Sequence, residues 1–207
     1  MEQLARKIAK TISTNLHYDE EKEAVIAYGL IAIIQTFVTL LIVIILGIVF
    51  KILIEALLVT LSASLLRKYS GGSHASSIGI CTATAVIYSI GCGLIIKYLL
   101  VGIHDTDIVV VITSVIFTFA YWIAYKKAPV DSPNKPIKSK AKITRMRKGT
   151  FIVLTCFLLL NGLLIALSGQ YPIFLNYSFG ILFGIIWQIS TLTKFSAKLA
   201  DIISFTH

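Results

Sequence analysis

The chain is 207 residues long, 57% hydrophobic and only 14% charged, with a formal net charge of +9. Soluble globular chains carry about a quarter charged residues, so an ordinary soluble enzyme is excluded and a nucleic-acid binder becomes the least favoured reading of the basic excess. Anionic lipid or an acidic peptide fits that excess better.

In chain order, residues 1–24 form the first unit. Leu4, Ala5, Ile8, Ala9, Ile12 and Leu16 recur at helical spacing, with Arg6, Lys7 and Lys10 opposite. This predicts an amphipathic helix, either lying in the membrane interface or packed on a bundle. Glu2, Asp19, Glu20, Glu21 and Glu23 interrupt the opening residues, so no cleavable signal peptide is expected. Residues 25–207 read as one membrane domain. Its apolar segments lie at about 25–50, 52–66, 78–101, 108–125, 150–168 and 173–193. A hydrocarbon core of ~30 Å needs about 20 residues of helix, and the second segment is short for it. That segment also holds Glu55, one turn after Lys51, a spacing that allows an ion pair near the membrane surface. The fold class is therefore an all-α integral membrane protein with about six spans plus an N-terminal amphipathic helix.

Orientation follows from the cations. With the N-terminus inside, the inner segments 1–24, 67–77, 126–149 and 194–207 hold 17 of the 19 Lys and Arg residues, and only Lys51 and Lys97 lie outside. This predicts that both termini are cytoplasmic. The basic loop 126–149 holds nine cations, Lys126, Lys127, Lys135, Lys138, Lys140, Lys142, Arg145, Arg147 and Lys148, against Asp131 alone. It also holds three of the four prolines, which favour extended or turn structure over helix. The loop is expected to touch anionic lipid and to offer a dock for an acidic peptide. In the last span, Gly180 and Gly184 form a small-xxx-small pair that permits close helix packing.

The segment 67–81, RKYSGGSHASSIGIC, carries the chemistry. His74 lies between two spans, and Cys81 follows seven residues later at the start of the next span. A thiol attacks as its thiolate, and an imidazole can take the proton. A position near a helix N-terminus favours the anion. On one unbroken helix, seven residues separate two side chains by ~10.5 Å along the axis, too far for proton transfer. A joint role therefore needs a break, for which Gly71 and Gly72 supply freedom and Ser76 or Ser77 a cap. The cysteines number three, Cys81, Cys92 and Cys156, all in apolar stretches, so free thiols are expected rather than a disulfide framework. Cys92 and Cys156 read as packing residues, and His17, His104 and His207 as non-catalytic. No further ligands stand near Cys81 and His74 for a metal, and no cofactor is expected.

Arg67, Gly72, His74-Ala75 and Cys81, with Ala128-Pro129, Pro133 and Pro136 after the fourth span, resemble the accessory gene regulator protein B family. The resemblance takes in nearly the whole chain. It implies a cysteine endopeptidase of bacterial quorum sensing. Such an enzyme removes the acidic tail of a short propeptide with an amphipathic leader, leaving a thioester that the core Cys or Ser resolves to a cyclic thiolactone or lactone. Cys81 matches the nucleophile and His74 the base, with Arg67, Gly71 and Gly72 as supporting motif. Lys135, Lys138, Lys140, Lys142, Arg145, Arg147 and Lys148 would receive the acidic tail, and Asp131 is a candidate to orient His74. The enzyme would sit in the bacterial cytoplasmic membrane with its site facing the cytoplasm, and a homodimer is compatible with this. The competing class is a small permease or exporter without peptidase chemistry. Spans almost free of charge beyond Glu55 speak against ion transport.

Overall fold

The computed structural model describes residues 2–72, 78–130 and 139–193. Among them are seven helices: α1 (Glu2–Asn15), α2 (Glu20–Val49), α3 (Leu53–Ser70), α4 (Ile78–Tyr98), α5 (Thr106–Lys127), α6 (Lys140–Leu167) and α7 (Ile173–Ser190). The chain divides into two compact units, Met1–Ile42 and Val43–His207, with the division inside α2.

In the first unit the predicted amphipathic helix is present as α1. Ala5, Ala9 and Ser13 make one buried stripe, while Leu4, Ile8 and Leu16 remain exposed. Asp19 starts α2: its carboxylate accepts the Lys22 N–H at 2.9 Å, and Glu20, Glu21 and Glu23 occupy the first turn, where the helix dipole favours negative charge.

The second unit is a helical bundle whose core joins Val59, Leu66, Phe117, Leu154, Phe179, Ile181, Leu182 and Ile185. Its most extensive packing is between α3 and α7. The two glycines of α7 explain the closeness. A Cβ at Gly180 would lie 2.9 Å from Leu58 Cβ and 3.3 Å from the Glu55 carbonyl oxygen. A Cβ at Gly184 would lie 2.5 Å from the Val59 carbonyl oxygen and would overlap Ser62 Oγ. The small-xxx-small pair therefore lets the two backbones touch.

Named contacts fix the direction of each helix. Gly180 meets Glu55 and Leu58, Gly184 meets Val59 and Ser62, and Gln188 meets Ser70, so α3 and α7 run parallel. Ile52 packs on Gly93, and the Thr60 hydroxyl donates to Ser89 Oγ at 2.9 Å, so α3 and α4 run antiparallel. Asn161 donates to Thr113 Oγ1 at 3.1 Å, Tyr121 meets Thr155 at 2.7 Å, and Arg147 donates to the Tyr125 carbonyl oxygen, so α5 and α6 are antiparallel as well.

Five helices, α2 and α4–α7, are long and apolar enough to cross a membrane by length and composition. The sixth predicted span is α3. It is less apolar because Glu55, Arg67 and Lys68 sit in it, yet it runs from the level of Gly93 to the level of Gln188. Its 18 residues rise ~27 Å. The basic segment 126–149 also differs from the sequence reading. α5 continues to Lys127 and α6 starts at Lys140, so residues 140–149 are helical. The helix begins beyond Pro136, the last proline of the segment, which removes the objection to it.

Overpacking a tight helix contact costs about 1–3 kcal/mol. We expect Gly184→Ala to lower the thermal midpoint in detergent, and Gly162→Ala, where a Cβ meets nothing within 4 Å, to leave it unchanged or slightly raised. Parallel melts of the two variants check this.

Candidate active site

α3 carries the Arg67–Ser70 stretch to one end of the bundle, and two glycines turn the chain there. The Gly71 N–H donates to the Arg67 carbonyl oxygen at 3.0 Å. Gly71 has φ +69° and Gly72 φ +139°, a region that other residues enter only with strain. Space is as restrictive as torsion. Val130 donates its N–H to the Ser70 carbonyl oxygen at 2.9 Å, laying segment 128–130 beside the turn, and a Cβ on Gly71 would overlap the Val130 carbonyl oxygen. A Cβ on Gly72 would lie 2.6 Å from Thr191 Oγ1.

Gln188, fully buried on α7, holds this turn from within. Its side-chain amide donates to Ser70 Oγ at 2.9 Å and to the Gly71 carbonyl oxygen at 2.7 Å. Its Oε1 has no hydrogen-bond partner among the described residues. The sequence reading passed over Gln188 and Thr191. The available signal was a Gln within an apolar span, since a buried amide needs partners.

Cys81 is the fourth residue of α4, half-buried, with a free thiol. Its depth follows from the helix register. Tyr88 stacks on Trp187 at 4.3 Å and donates its hydroxyl to the Phe183 carbonyl oxygen at 2.9 Å. Cys81 precedes Tyr88 by seven residues, ~10.5 Å towards the α4 N-terminus. The same displacement from Thr60 leads to Arg67, and from Ser89 to Thr82. Arg67, Cys81 and the Gly71–Gly72 turn therefore share one end of the bundle. The first turn of α4 supplies partial positive charge there.

The neighbour of Cys81 is unusual. The Thr82 hydroxyl is buried and lacks a hydrogen-bond partner among the described residues. Thr84, two residues further on, donates to the Ile80 carbonyl oxygen at 2.6 Å, as helical threonines commonly do.

Cys92 lies in the core and Cys156 on the exposed surface of α6. Among the described residues no group of His, Cys, Asp and Glu could hold a metal ion. His74, Ser76, Ser77, Asp131, Pro133, Lys135, Pro136 and Lys138 lie outside the described residues.

The remaining basic candidates start α6, and their helical placement divides them. At about 100° per residue, Lys142, Arg145 and Lys148 fall within an arc of about 120°, while Lys140 and Arg147 point to the other side. Arg147 is engaged: it donates to the Tyr125 carbonyl oxygen and lies 5.0 Å over the Tyr125 ring. Lys126 lies 4.3 Å over the Trp122 ring. Tyr69 fills the space above Gly149, so the start of α6 sits beside the end of α3. The described cations of the basic segment thus gather at the Cys81 end, and Lys51 and Lys97 at the opposite one, where the Lys97 ammonium donates to the Lys51 carbonyl oxygen at 2.6 Å.

Comparison with known proteins adds three findings. The family model "Accessory gene regulator B" matches residues 5–192. A Clostridium perfringens protein (strain 13, type A), named "Putative AgrB-like protein 2", is 42% identical over 214 aligned residues, covering 100% of this chain and 98% of its own length. A second, from C. perfringens strain SM101, named "Putative AgrB-like protein", is 40% identical over 210 residues with the same coverage. No solved structure matches.

Replacing Gln188 by Leu would keep the volume and leave the Gly71 carbonyl and the Ser70 hydroxyl without this donor. A buried polar group left unpaired costs about 1–3 kcal/mol. We expect Gln188→Leu to be destabilised by that amount in thermal unfolding. Ser190→Ala, at an exposed site two residues after Gln188, should melt like the parent.

Proposed function

The chain belongs to the accessory gene regulator B family, and from that premise we propose that it is a membrane cysteine endopeptidase with Cys81 as nucleophile and His74 as base. Family membership ties the protein to processing of the accessory gene regulator autoinducer, and its long apolar helices make it a multi-pass membrane protein. The observation that carries the finer reading is that Cys81, in the first turn of α4, lies at the same end of the bundle as the Gly-Gly turn after Arg67. His74 follows Gly72 by two residues. Covalent geometry keeps their Cα atoms within about 7 Å.

The substrate is a short propeptide with an amphipathic leader, a core bearing a Cys or Ser, and an acidic tail. His74 takes the thiol proton, and the Cys81 thiolate attacks the carbonyl carbon of the peptide bond before the tail. The C–N bond breaks, and the tail leaves as an amine with the proton from the imidazolium. The acyl group stays on sulfur as a thioester. The core side chain then attacks that carbonyl, the Cys81 thiolate departs, and the ring closes as a thiolactone or lactone. A thioester is more reactive than the amide it replaces, so water must be kept from it if cyclisation is to win over hydrolysis. A half-buried thiol at the end of a helical bundle suits that requirement. The positive end of α4 favours the thiolate and the tetrahedral oxyanion.

The charge distribution orients the molecule. Arg67, Lys68, Lys126, Lys127 and the α6 cations share the Cys81 end, which supports a site facing the cytoplasm under the positive-inside rule. Anionic lipid and the acidic tail are the partners of these cations. A homodimer remains compatible with this arrangement.

Two experiments test this reading. Cys81→Ala should lower propeptide cleavage by at least about 10³-fold, since nucleophile and base act as one unit, whereas Cys92→Ala and Cys156→Ala should cleave at the parent rate. Cleavage that survives Cys81→Ala and vanishes in Cys92→Ala would make Cys92 the nucleophile and overturn the proposal. Neutralising Lys142, Arg145 and Lys148 together should raise KM for an acidic-tail substrate about tenfold. A neutral-tail substrate should be spared, and the effect should shrink at high salt. An equal loss for both substrates would make these cations membrane anchors only.

A further inference from the structure

At the end of the bundle remote from Cys81, a cleft of about 380 Å³ opens beside the α2–α3 turn, with Gly47, Ile48, Lys51, Ile54, Glu55 and Tyr177 among its walls. Glu55 is only 8% exposed. The ion pair expected with Lys51 is not formed: among the described residues the Glu55 carboxylate has neither a hydrogen bond nor an ion pair. Burying a carboxylate without a partner is expensive, and the N-terminal turn of α3 offsets that only in part. The arrangement is that of a half-built site.

We propose that this cleft binds a primary ammonium carried next to an anion, the chemistry of a phosphoethanolamine group. Glu55 receives the ammonium, and the Tyr177 ring adds a cation–π face. Lys51, exposed on the same cleft with positive φ, receives the phosphate. The Lys97 bond to the Lys51 carbonyl oxygen holds that turn in place.

The surroundings favour a lipid as the source of the group. Ile48 and Ile54, 59% and 48% exposed, extend the cleft as an apolar wall along which an acyl chain can lie. Tyr171, Phe174 and Tyr177 form a run of contacting rings with centroids 5.6 and 6.0 Å apart, and Tyr98 beside Lys97 is exposed. Tyrosines and lysines at a helix end mark headgroup depth. A soluble molecule bearing the same group would satisfy the two charges but not the apolar wall.

The test is thermal unfolding of the full-length protein in detergent with added dioleoyl phosphatidylethanolamine, dioleoyl phosphatidylglycerol or O-phosphoethanolamine. Near-saturating phosphatidylethanolamine should raise the midpoint by about 5 °C. Phosphatidylglycerol, which lacks the ammonium, should not match it. The rise should disappear in Glu55→Gln and in Ile48→Trp, which fills the cleft from its exposed wall. Two substitutions guard against a fold defect in either one, and propeptide cleavage by both variants at the parent rate confirms intact protein. A comparable rise with O-phosphoethanolamine that is also lost in Glu55→Gln supports the site with a soluble source. No rise, an equal rise with phosphatidylglycerol, or a rise that persists in both variants overturns the proposal.

Discussion

The structure depends on the contact between α3 and α7. Taken alone, α3 is a poor membrane helix: it carries Glu55, Arg67 and Lys68, and it buries the hydroxyls of Thr60, Ser62 and Ser70. Each of these groups needs a partner or a neighbour, because lipid offers none. Thr60 bonds to Ala56 and Ser89, Ser62 to the Leu58 and Val59 carbonyl oxygens, and Ser70 receives the Gln188 amide. Gly180 and Gly184 bring α7 close enough to seal the α3 backbone along that length. Small-residue packing and hydrogen bonding do here what apolar burial does in water, since lipid competes on equal terms for apolar side chains.

From that contact the rest of the candidate site follows. With α3 held against α7, its last turn is delivered to Gln188 and Thr191, and the Gly71–Gly72 turn is shaped by their side chains on one side and by Val130 on the other. The chain then re-enters the bundle as α4 with Cys81 in its opening turn. The two ends of the bundle also divide the charges. The Cys81 end gathers cations, which under the proposed function meet an acidic peptide and the inner leaflet, and the other end holds Glu55, the one buried carboxylate among the described residues.

Much of this was legible in the sequence, for identifiable reasons. Long apolar runs give helices because the bilayer leaves the backbone no other choice, and the five long spans follow from them. The Gly180/Gly184 spacing pointed to close packing, and the Gly-Gly pair before His74 pointed to a break, since both rest on what a missing Cβ permits. Composition could not show that α3 continues to Ser70 through Arg67 and Lys68, because its stability comes from α7. Proline content suggested an extended basic segment, but residues 140–149 lie beyond the last proline and are helical. Gln188 stood out as an amide in an apolar span, but its partners were illegible because they lie 117 and 118 residues away. Lys51 and Glu55 have the spacing of an ion pair, but the α2–α3 turn intervenes, with Lys51 at φ +56° outside the helix.

The central claim is that Cys81 carries the acyl group. The most direct measurement is the intact mass, followed by peptide mapping, of a protein with Cys92 and Cys156 replaced by Ala. It would be incubated in liposomes with a propeptide whose core Cys or Ser is changed to Ala, so that the second step cannot occur. The account predicts an adduct with the mass of the leader plus core, mapped to the peptide containing Cys81 and released by hydroxylamine, as a thioester is. Release of the tail without any adduct on that peptide, or an adduct resistant to hydroxylamine, would contradict it.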